Sequence, residues 1–347
     1  MNIKLLSQPY KDLFFRLLNR ENTAFLSKQF YYIREEITKG FGCKTLPVKF
    51  APIEKTRIIN TPKCYVVVDL HAGIRDDENI SEYTGVLLKF LTLAKPTKKI
   101  VFFRMNYSPK TSVTLKKLLY KNNGVLRQCF PWSYYQKSYD YFLQNKNQIR
   151  KTIASMPKRW DVAFYGNPEN YYSYPPHIKL TKKFNLPVSL IEAQRIFHQK
   201  ISTSDWDRMR ILKSRKEFWD ELNLDKSRSV FSPSVSFDNY IKNISQTKLN
   251  FCPPGVGQII HKVYEDILIG LPSLLPKGSY DLPAPISLEE IGICYRNPAD
   301  FQEKYKDFLE NNRFEEIHNR CISIFEKYLT PQKIARDILN KTKNAIA

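Results

Sequence analysis

Acidic residues, glycine and long hydrophobic runs are all scarce in this 347-residue chain. It has 34 Asp and Glu against 55 Lys and Arg, and its formal net charge is +21 at pH 7. Its longest apolar segments, YVVVDL and DILIGLPSLL, are far shorter than the ~18 residues that a membrane-spanning helix needs. The N-terminal segment mixes charges with apolar residues, which is typical of an amphipathic helix and not of a signal peptide. We therefore expect a cytoplasmic protein without a transmembrane segment.

Metal-binding and disulfide patterns are also missing. The 6 cysteines lie far apart without a C-x-x-C pair, and the 5 histidines form no H-E-x-x-H motif. This spacing is typical of reduced core thiols in a cytosolic protein. No metal site is predicted, because neither residue type is grouped with ligand spacing.

The positive charge is concentrated in the first half of the chain. About +15 of the net charge falls within residues 1–150, and much of it lies between residues 95 and 160. A basic N-terminal half indicates a polyanionic partner, which can be nucleic acid, an anionic membrane surface or an acidic glycan. A generally lysine-rich proteome would produce the same bias without any such partner.

Apolar strands alternate with amphipathic helices along the chain. The segments CYVVVDLHAG and KKIVFFRMN are typical of buried parallel strands, and helical segments follow both of them. WDVAFYGN opens a second strand–helix series. The pattern predicts an α/β protein with two Rossmann-like domains, an N-terminal domain over 1–155 and a C-terminal domain over 156–330. A last helix over 331–347 can cross back to the N-terminal domain.

One segment, KLNFCPPGVGQIIHKVYEDILIGLPSLLP (248–276), carries most of the chemical information. Its glycine turn enters a helix, and the N-terminus of a helix presents backbone N–H groups and a positive dipole to a phosphate. Lys262 lies one turn into that helix and could add a charge for a phosphate. Glu265 follows three residues later, where it could accept hydrogen bonds from ribose hydroxyls.

This segment resembles the donor-binding motif of glycosyltransferases with the two-domain GT-B fold, in particular the exostosin-like group. The matching residues, in order, are Tyr240, Ile244, Lys248, Cys252, Pro253, Gly255, Lys262, Glu265, Gly270 and Pro272. RWDVAFYGN also looks like the segment that opens the C-terminal domain in that family. Two residues depart from the pattern: Lys262 stands where arginine is usual, and Asp266 stands where alanine is usual.

The resemblance implies two Rossmann-like domains that face a cleft, with the nucleotide sugar bound by the C-terminal domain. The co-substrate would be UDP-linked, and no cofactor is implied. Basic side chains and helix N-termini would hold the phosphates, so we expect a metal-independent reaction. The predicted donor-binding residues are Gly166, Asn167, Pro254, Gly255, Val256, Gly257, His261, Lys262 and Glu265. Many retaining members of this fold carry an E-x7-E pattern. Counted from Glu265, its second glutamate would fall at position 273, which is Ser273. The absence of the pattern favours inversion.

An inverting transfer needs a general base for the acceptor hydroxyl. Asp69 and His71 lie at the end of the strand in VVVDLHAG, and we predict that one of them is the base. Alternatively, Asp69 caps the turn and His71 packs. The predicted acceptor-binding residues are Arg104, Lys116, Lys117, Lys121, Arg127 and Trp132.

Three functions remain open at this stage. The charge favours DNA with hydroxymethylated pyrimidines as the acceptor, as in DNA modification by bacteriophage enzymes, with lysines on phosphates and an extruded base. The exostosin-like motif favours a surface polysaccharide, lipopolysaccharide or viral glycan. The third possibility is a nucleic-acid-binding protein without enzyme activity.

Overall fold

The computed structural model separates into two compact units: residues 1–136 with 326–347 (unit 1), and residues 137–325 (unit 2). It describes residues 3–7, 64–70, 98–103, 117, 119–121, 123–128, 136–166, 168, 215–232, 235–253, 261–278, 282 and 285–346. The division at 136 precedes the boundary of 155 that was predicted from the sequence, because the helix over residues 136–155 continues into unit 2.

The strands described in unit 1 form one parallel sheet in the order β1-β2-β3-β4. They are β1 (Ile3–Ser7), β2 (Cys64–Leu70), β3 (Lys98–Phe103) and β4 (Gly124–Gln128). The two strands predicted here, β2 and β3, are therefore confirmed. The pairing of β2 with β3 shifts register between Val68 and Leu70, so Asp69 lies at an irregularity where β2 ends.

The amphipathic helix predicted at the N-terminus is wrong for its first residues. Ile3–Ser7 is a parallel strand that pairs with β2, from Ile3 opposite Cys64 to Ser7 opposite Val68. A short apolar segment is compatible with either structure, and here the open edge of β2 supplies the hydrogen-bond partners that decide between them.

Unit 2 has a second parallel sheet in the order β6-β5-β7-β8-β9. Its strands are β5 (Trp160–Tyr165), β6 (Ser229–Ser232), β7 (Thr247–Phe251), β8 (Ser273–Pro276) and β9 (Gly292–Tyr295). From β5 the chain passes to one side to form β6 and to the other side to form β7. The strand order therefore reverses between β5 and β7, and open α/β sheets bind ligands beyond the carboxyl ends of strands at such a reversal.

An ion-pair cluster joins the amino ends of β5 and β7. Asp161 accepts hydrogen bonds from Arg228 Nη2 at 2.8 Å and Nε at 3.1 Å, and Lys248 Nζ lies 2.9 Å from the same carboxylate. Burial alone would raise the pKa of Asp161, but Arg228 and Lys248 hold it below its ordinary value. Asp161 and Lys248 both belong to the segments that resemble the glycosyltransferase motif. They contact each other where β5 and β7 begin, at the end of the sheet opposite the carboxyl ends of the strands.

Besides the helical residues 117 and 119–121, seven helices are described: α1 (Gln136–Ser155), α2 (Arg215–Asp220), α3 (Phe237–Ser245), α4 (His261–Ile269), α5 (Pro298–Glu310), α6 (Phe314–Ile324) and α7 (Pro331–Ile346). A 3-10 turn at Leu288–Glu290 precedes β9, and a π-helical turn at Phe325–Leu329 connects α6 to α7. In unit 1, α7 lies beside β3. None of the described helices is long and apolar enough to cross a membrane.

The end of α4 depends on Gly270. This residue has a φ of +77°, a left-handed conformation that side chains with a Cβ disfavour. Its carbonyl oxygen lies 2.6 Å from Nδ1 of the buried His318 on α6, and Leu271 N–H donates to the carbonyl oxygen of Asp266. The predicted stop of the helix at Gly-Leu-Pro is thus confirmed, and the chain turns directly into the buried strand β8.

We predict that Gly270→Ala lowers the free energy of unfolding by about 2–5 kcal/mol. A left-handed alanine costs roughly 1–2 kcal/mol, and overpacking adds ~1–3 kcal/mol. The new Cβ would lie 2.8 Å from Cε1 and Nδ1 of the His318 ring. Urea unfolding would measure the loss. In a His318→Ala background most of the overpacking is relieved, so the same change should cost only about 1–2 kcal/mol. Equal costs in both backgrounds would contradict this account.

Candidate functional site

The candidate site lies where β5 and β7 end and α4 begins. Gly166 follows β5 directly, and its N–H donates to the carbonyl oxygen of Ser232 at the end of β6. Cys252 and Pro253 follow β7, and both are buried. The segment after Pro253 leads to α4, whose first turn contains Lys262. These elements meet at the reversal of strand order, where the topology alone predicts a ligand site.

Lys262 places a buried cation at this point. Its Nζ lies 3.3 Å from the carbonyl oxygen of Tyr165, the last residue of β5. The ammonium group lies 5.2 Å from the ring centroid of Phe164 and 5.4 Å from that of Tyr240, and both distances are within the range of a cation–π interaction. The side chain is only 9% exposed. A cation with so little water around it interacts more strongly with an incoming anion than a surface lysine does.

Glu265 lies one turn further along α4 and is buried against α1. Its Oε1 accepts a hydrogen bond from Ser138 Oγ at 2.8 Å. Arg150, also on α1, donates from Nε to the carbonyl oxygen of Leu268 at the end of α4. Helix α1 therefore holds α4 at two points, one near the candidate site and one at the opposite end of the helix.

Asp266 faces the sheet and is fully buried. Its carboxylate accepts hydrogen bonds from Asn250 Nδ2 at 2.8 and 2.9 Å, from Cys252 Sγ at 3.2 Å and from Ser273 Oγ at 3.1 Å. These donors come from the end of β7, the residue after it and the start of β8. Asp266 thus ties both strands to the helix. Its position is the one where the resembling family has alanine, and the structure shows a polar anchor in place of a methyl group.

Burial dominates the electrostatics of this turn of α4. It raises the pKa of Glu265 to about 7 and that of Asp266 to about 7, although Lys262 and the hydrogen-bond donors oppose the shift. Burial also lowers the pKa of Lys262, against the raising effect of Cys252, Asp266 and Glu265. Full ionisation would place two negative charges beside one positive charge with little water, so the cluster holds a proton more readily than exposed carboxylates do.

The structure brings together only part of the predicted site. Gly166 and Lys262 lie close together where β5 ends and α4 begins, while Glu265 lies deeper, against α1. The other predicted donor residues, Asn167, Pro254, Gly255, Val256 and Gly257, are outside the described residues, as is the side chain of His261.

In unit 1, Asp69 lies at the end of β2, and Arg127 lies within β4. Lys117 and Lys121 are exposed. His71, Arg104, Lys116 and Trp132 are outside the described residues.

Several functional candidates were missed from the sequence. Ser138, Asn250 and Ser273 became visible only through their contacts with Glu265 and Asp266, because single serines and asparagines carry no motif. Asp205 and Asp207 have the D-x-D spacing of metal-dependent glycosyltransferases and lie outside the described residues. Metal independence therefore stays a prediction. Within the described ranges, no cluster of three or more His, Cys, Asp or Glu could hold a metal ion.

No protein-family model matches the chain, and no curated protein matches it. Among solved structures it is similar to an alpha-glucosyltransferase in complex with UDP and a 13-mer DNA containing a HMU base, with 9% identity, 99% of this chain and 98% of that chain covered, and a TM-score of 0.41. A second is WaaG, a glycosyltransferase involved in lipopolysaccharide biosynthesis, with 8% identity, 98% of each chain covered and a TM-score of 0.36. A third is MurG of Acinetobacter baumannii, with 8% identity, 99% of this chain and 100% of that chain covered, and a TM-score of 0.34. No residue role is transferred at these identities.

We predict that Glu265→Gln flattens part of the pH dependence of stability. The pKa of Glu265 rises from 4.5 to about 7 in the folded chain. Between these values the folded state holds a proton that the unfolded state has released, so the stability of the parent protein falls as pH rises through this window and levels off above it. Glutamine keeps an acceptor for Ser138 but cannot ionise. By about pH 8 the variant should therefore gain roughly 1–3 kcal/mol relative to the parent.

Urea unfolding between about pH 5 and about pH 8 covers this window. Glu310→Gln is the matched control, because Glu310 is exposed. A difference between Glu265→Gln and the parent that does not change with pH would show that Glu265 is ionised in the folded chain throughout.

Proposed function

We propose that this chain is a glycosyltransferase that transfers a sugar from a UDP-linked nucleotide sugar to an acceptor hydroxyl, with the donor bound by unit 2. One observation carries the proposal. The buried cation of Lys262 lies at the carboxyl end of β5, at the reversal of strand order, in the first turn of a helix that Gly255 and Gly257 precede in the sequence. A diphosphate is the ligand that such a cation and a helix N-terminus favour together.

The proposed chemistry follows from that charge. A base removes the proton of the acceptor hydroxyl, the acceptor oxygen forms a bond to the anomeric carbon, and the bond between that carbon and the diphosphate breaks. Negative charge then develops on the departing UDP. Lys262 and the N-terminus of α4 would stabilise it, and the stabilisation is strong because the lysine is already desolvated and its position is fixed by Tyr165 and two aromatic rings.

The carboxylates of α4 have different roles in this proposal. Glu265 is held by Ser138 on one oxygen, and its second oxygen is proposed to accept from ribose hydroxyls. Asp266 touches no ligand and is a positioning residue, because its hydrogen bonds set the distance between α4 and the ends of β7 and β8. We propose that the glycine-containing segment 254–257 and residues Gly166 and Asn167 approach the diphosphate or the base.

The acceptor is proposed to be DNA that carries hydroxymethylated pyrimidines, bound by unit 1. The supporting observation is the charge of residues 1–150, together with the exposed Lys117 and Lys121 on a described helix. Asp69, at the end of β2, and the adjacent His71 are the proposed bases. A surface polysaccharide or lipopolysaccharide acceptor is the second candidate, favoured by the exostosin-like character of residues 248–276. A nucleic-acid-binding protein without activity would leave the buried Lys262 unexplained.

We predict that Lys262→Met weakens UDP binding about 10- to 100-fold, because charge-assisted contacts to phosphate contribute ~1.5–3 kcal/mol. Methionine keeps most of the aliphatic stem that packs between Phe164 and Tyr240. Isothermal titration calorimetry measures the affinity, and Lys304→Met, which changes a lysine bonded to Cys294 and Asp300 elsewhere in unit 2, is the control. Equal UDP affinity in parent and Lys262→Met would refute the donor site.

We predict that Asp69→Asn or His71→Ala lowers turnover by about 10²–10⁴-fold while UDP affinity is unchanged, since only proton transfer is lost. Mass spectrometry after incubation with a panel of nucleotide sugars detects the product. Each incubation contains either hydroxymethylated DNA or a soluble glycan. Transfer to the glycan alone would overturn the DNA acceptor but keep the enzyme class. Transfer to neither, together with no UDP binding, would leave the nucleic-acid-binding protein.

A further inference from the structure

An exposed tyrosine lies among exposed lysines in unit 1. Tyr120 is 85% exposed, the largest exposed fraction of any large hydrophobic residue in the part of the chain that the structure describes. Lys117 and Lys121, on the same helical segment, are also exposed, whereas Leu119 is fully buried. We refer to Lys117, Tyr120 and Lys121 as the basic–aromatic patch.

The three side chains of the patch share one face of their helix. At about 100° per residue, Lys117 lies between Tyr120 and Lys121 in angular position, and all three fall within a sector of about 100°. Leu119 is on the opposite side. Residues separated by three or four positions have Cβ atoms about 5–6 Å apart, so two ammonium groups and one aromatic ring are available to the same ligand.

The patch lies at the end of the unit 1 sheet where the parallel strands begin. Asn123 N–H donates to the carbonyl oxygen of Tyr120, and β4 begins at the next residue, Gly124. A Cβ on Gly124 would come within 2.9 Å of the Leu119 side chain, so this turn of helix is packed directly on the start of the strand. Gly124 pairs with Lys99 near the start of β3, so basic residues of β3 lie at the same end of the sheet.

The proposed base lies at the opposite end of that sheet, where the parallel strands finish. All four strands are parallel, and Asp69 is next to the last residue of β2. A five-residue strand such as β4 is about 16 Å long, so the patch and the end of β2 are separated by roughly that distance along the strand direction. One sugar-accepting nucleotide cannot touch both.

We infer that the basic–aromatic patch is an anchoring site for a single-stranded stretch of DNA that flanks the acceptor nucleotide. The inference rests on the proposed function for its acceptor. Lys117 and Lys121 contact phosphates, and Tyr120 stacks on an unpaired base, the combination that binds single strands without sequence preference. Duplex DNA offers no free base face to the ring, so the exposed tyrosine favours a single strand.

A membrane surface is the other anionic partner to weigh against DNA. An interfacial helix needs an apolar face that several large side chains build together. The described part of this helix presents one ring beside two ammonium groups, and Leu119 is packed on β4. The apolar surface of the described residues is therefore too small to insert into a bilayer, whereas one ring is sufficient to stack on one base.

The binding experiment uses the full chain and a fluorescent oligodeoxythymidine of about 20 nucleotides, without donor, at several salt concentrations. Tyr120→Ala should weaken binding roughly 5- to 150-fold and leave the salt dependence unchanged, because the ring carries no charge. Tyr120→Trp should restore the affinity. Lys117→Ala with Lys121→Ala should reduce the slope of log K against log salt by about 1.4. Lys226→Ala with Lys306→Ala, which removes two exposed lysines of unit 2, is the charge-matched control.

Acceptor length provides the second measurement. About five nucleotides, at 3.4 Å each, are needed to cover the distance between the patch and the end of β2. With a single-stranded flank of about 20 nucleotides, Tyr120→Ala should raise KM and leave kcat unchanged. With a flank of about two nucleotides the variant should behave as the parent does.

Each other outcome overturns the inference in a recognisable way. Equal losses with short and long flanks would place Tyr120 in the acceptor site itself. Unchanged DNA binding, with weaker binding to vesicles of phosphatidylserine and phosphatidylcholine, would assign the patch to a membrane. Unchanged binding to both would leave it without a partner. Failure of the proposed function is a separate result, seen as absent UDP binding in the parent protein whatever the behaviour of Tyr120.

Discussion

Helix α4 is buried along its described side chains although it carries Lys262, Glu265 and Asp266, and the rest of unit 2 is arranged around that constraint. A buried charge costs several kcal/mol unless partners compensate it. The chain supplies those partners from every neighbouring element: Tyr165 and two aromatic rings for Lys262, Ser138 for Glu265, and β7 with β8 for Asp266. Since these partners come from five different elements, β5, α3, α1, β7 and β8, a shift of the helix would remove the partner of at least one of its charged groups.

The same constraint links stability to the proposed chemistry. A lysine that is already desolvated needs no reorganisation when a diphosphate arrives, but the protein bears the cost of its burial in the absence of ligand. The polar network of Asp266 compensates by joining α4 to the strands, and Gly270 with His318 fixes the opposite end of the helix. Rigid attachment at both ends holds Lys262 at the reversal of strand order, which is the position where a ligand can reach it.

The parts of the site that were predictable from sequence are the local ones. Lys262 and Gly270 could be named because a glycine turn, a basic residue and a Gly-Leu-Pro stop follow one another within a single segment. The strands β2, β3 and β5 were predictable because runs of β-branched and aromatic residues have few alternatives when they are buried on both faces. The strands β1, β4 and β6 were missed, since short segments such as IKLLS, GVLRQ and SVFS form strands only when a neighbouring edge is available.

The sequence by itself determined the α/β class, the glycine pair that precedes α4 and the concentration of positive charge in residues 1–150, because these depend on residue type and spacing along the chain. Only the tertiary structure decided that Glu265 contacts Ser138, which is more than 100 residues away, and that Asp266 ties β7 to β8. It also decided that the basic–aromatic patch lies where the strands of its sheet begin, while Asp69 lies where β2 ends. Burial and hydrogen bonding arise between segments that are distant in sequence, which is why the sequence alone could not give them. The direction of the parallel strands then determines which of these segments lie at the same end of a sheet.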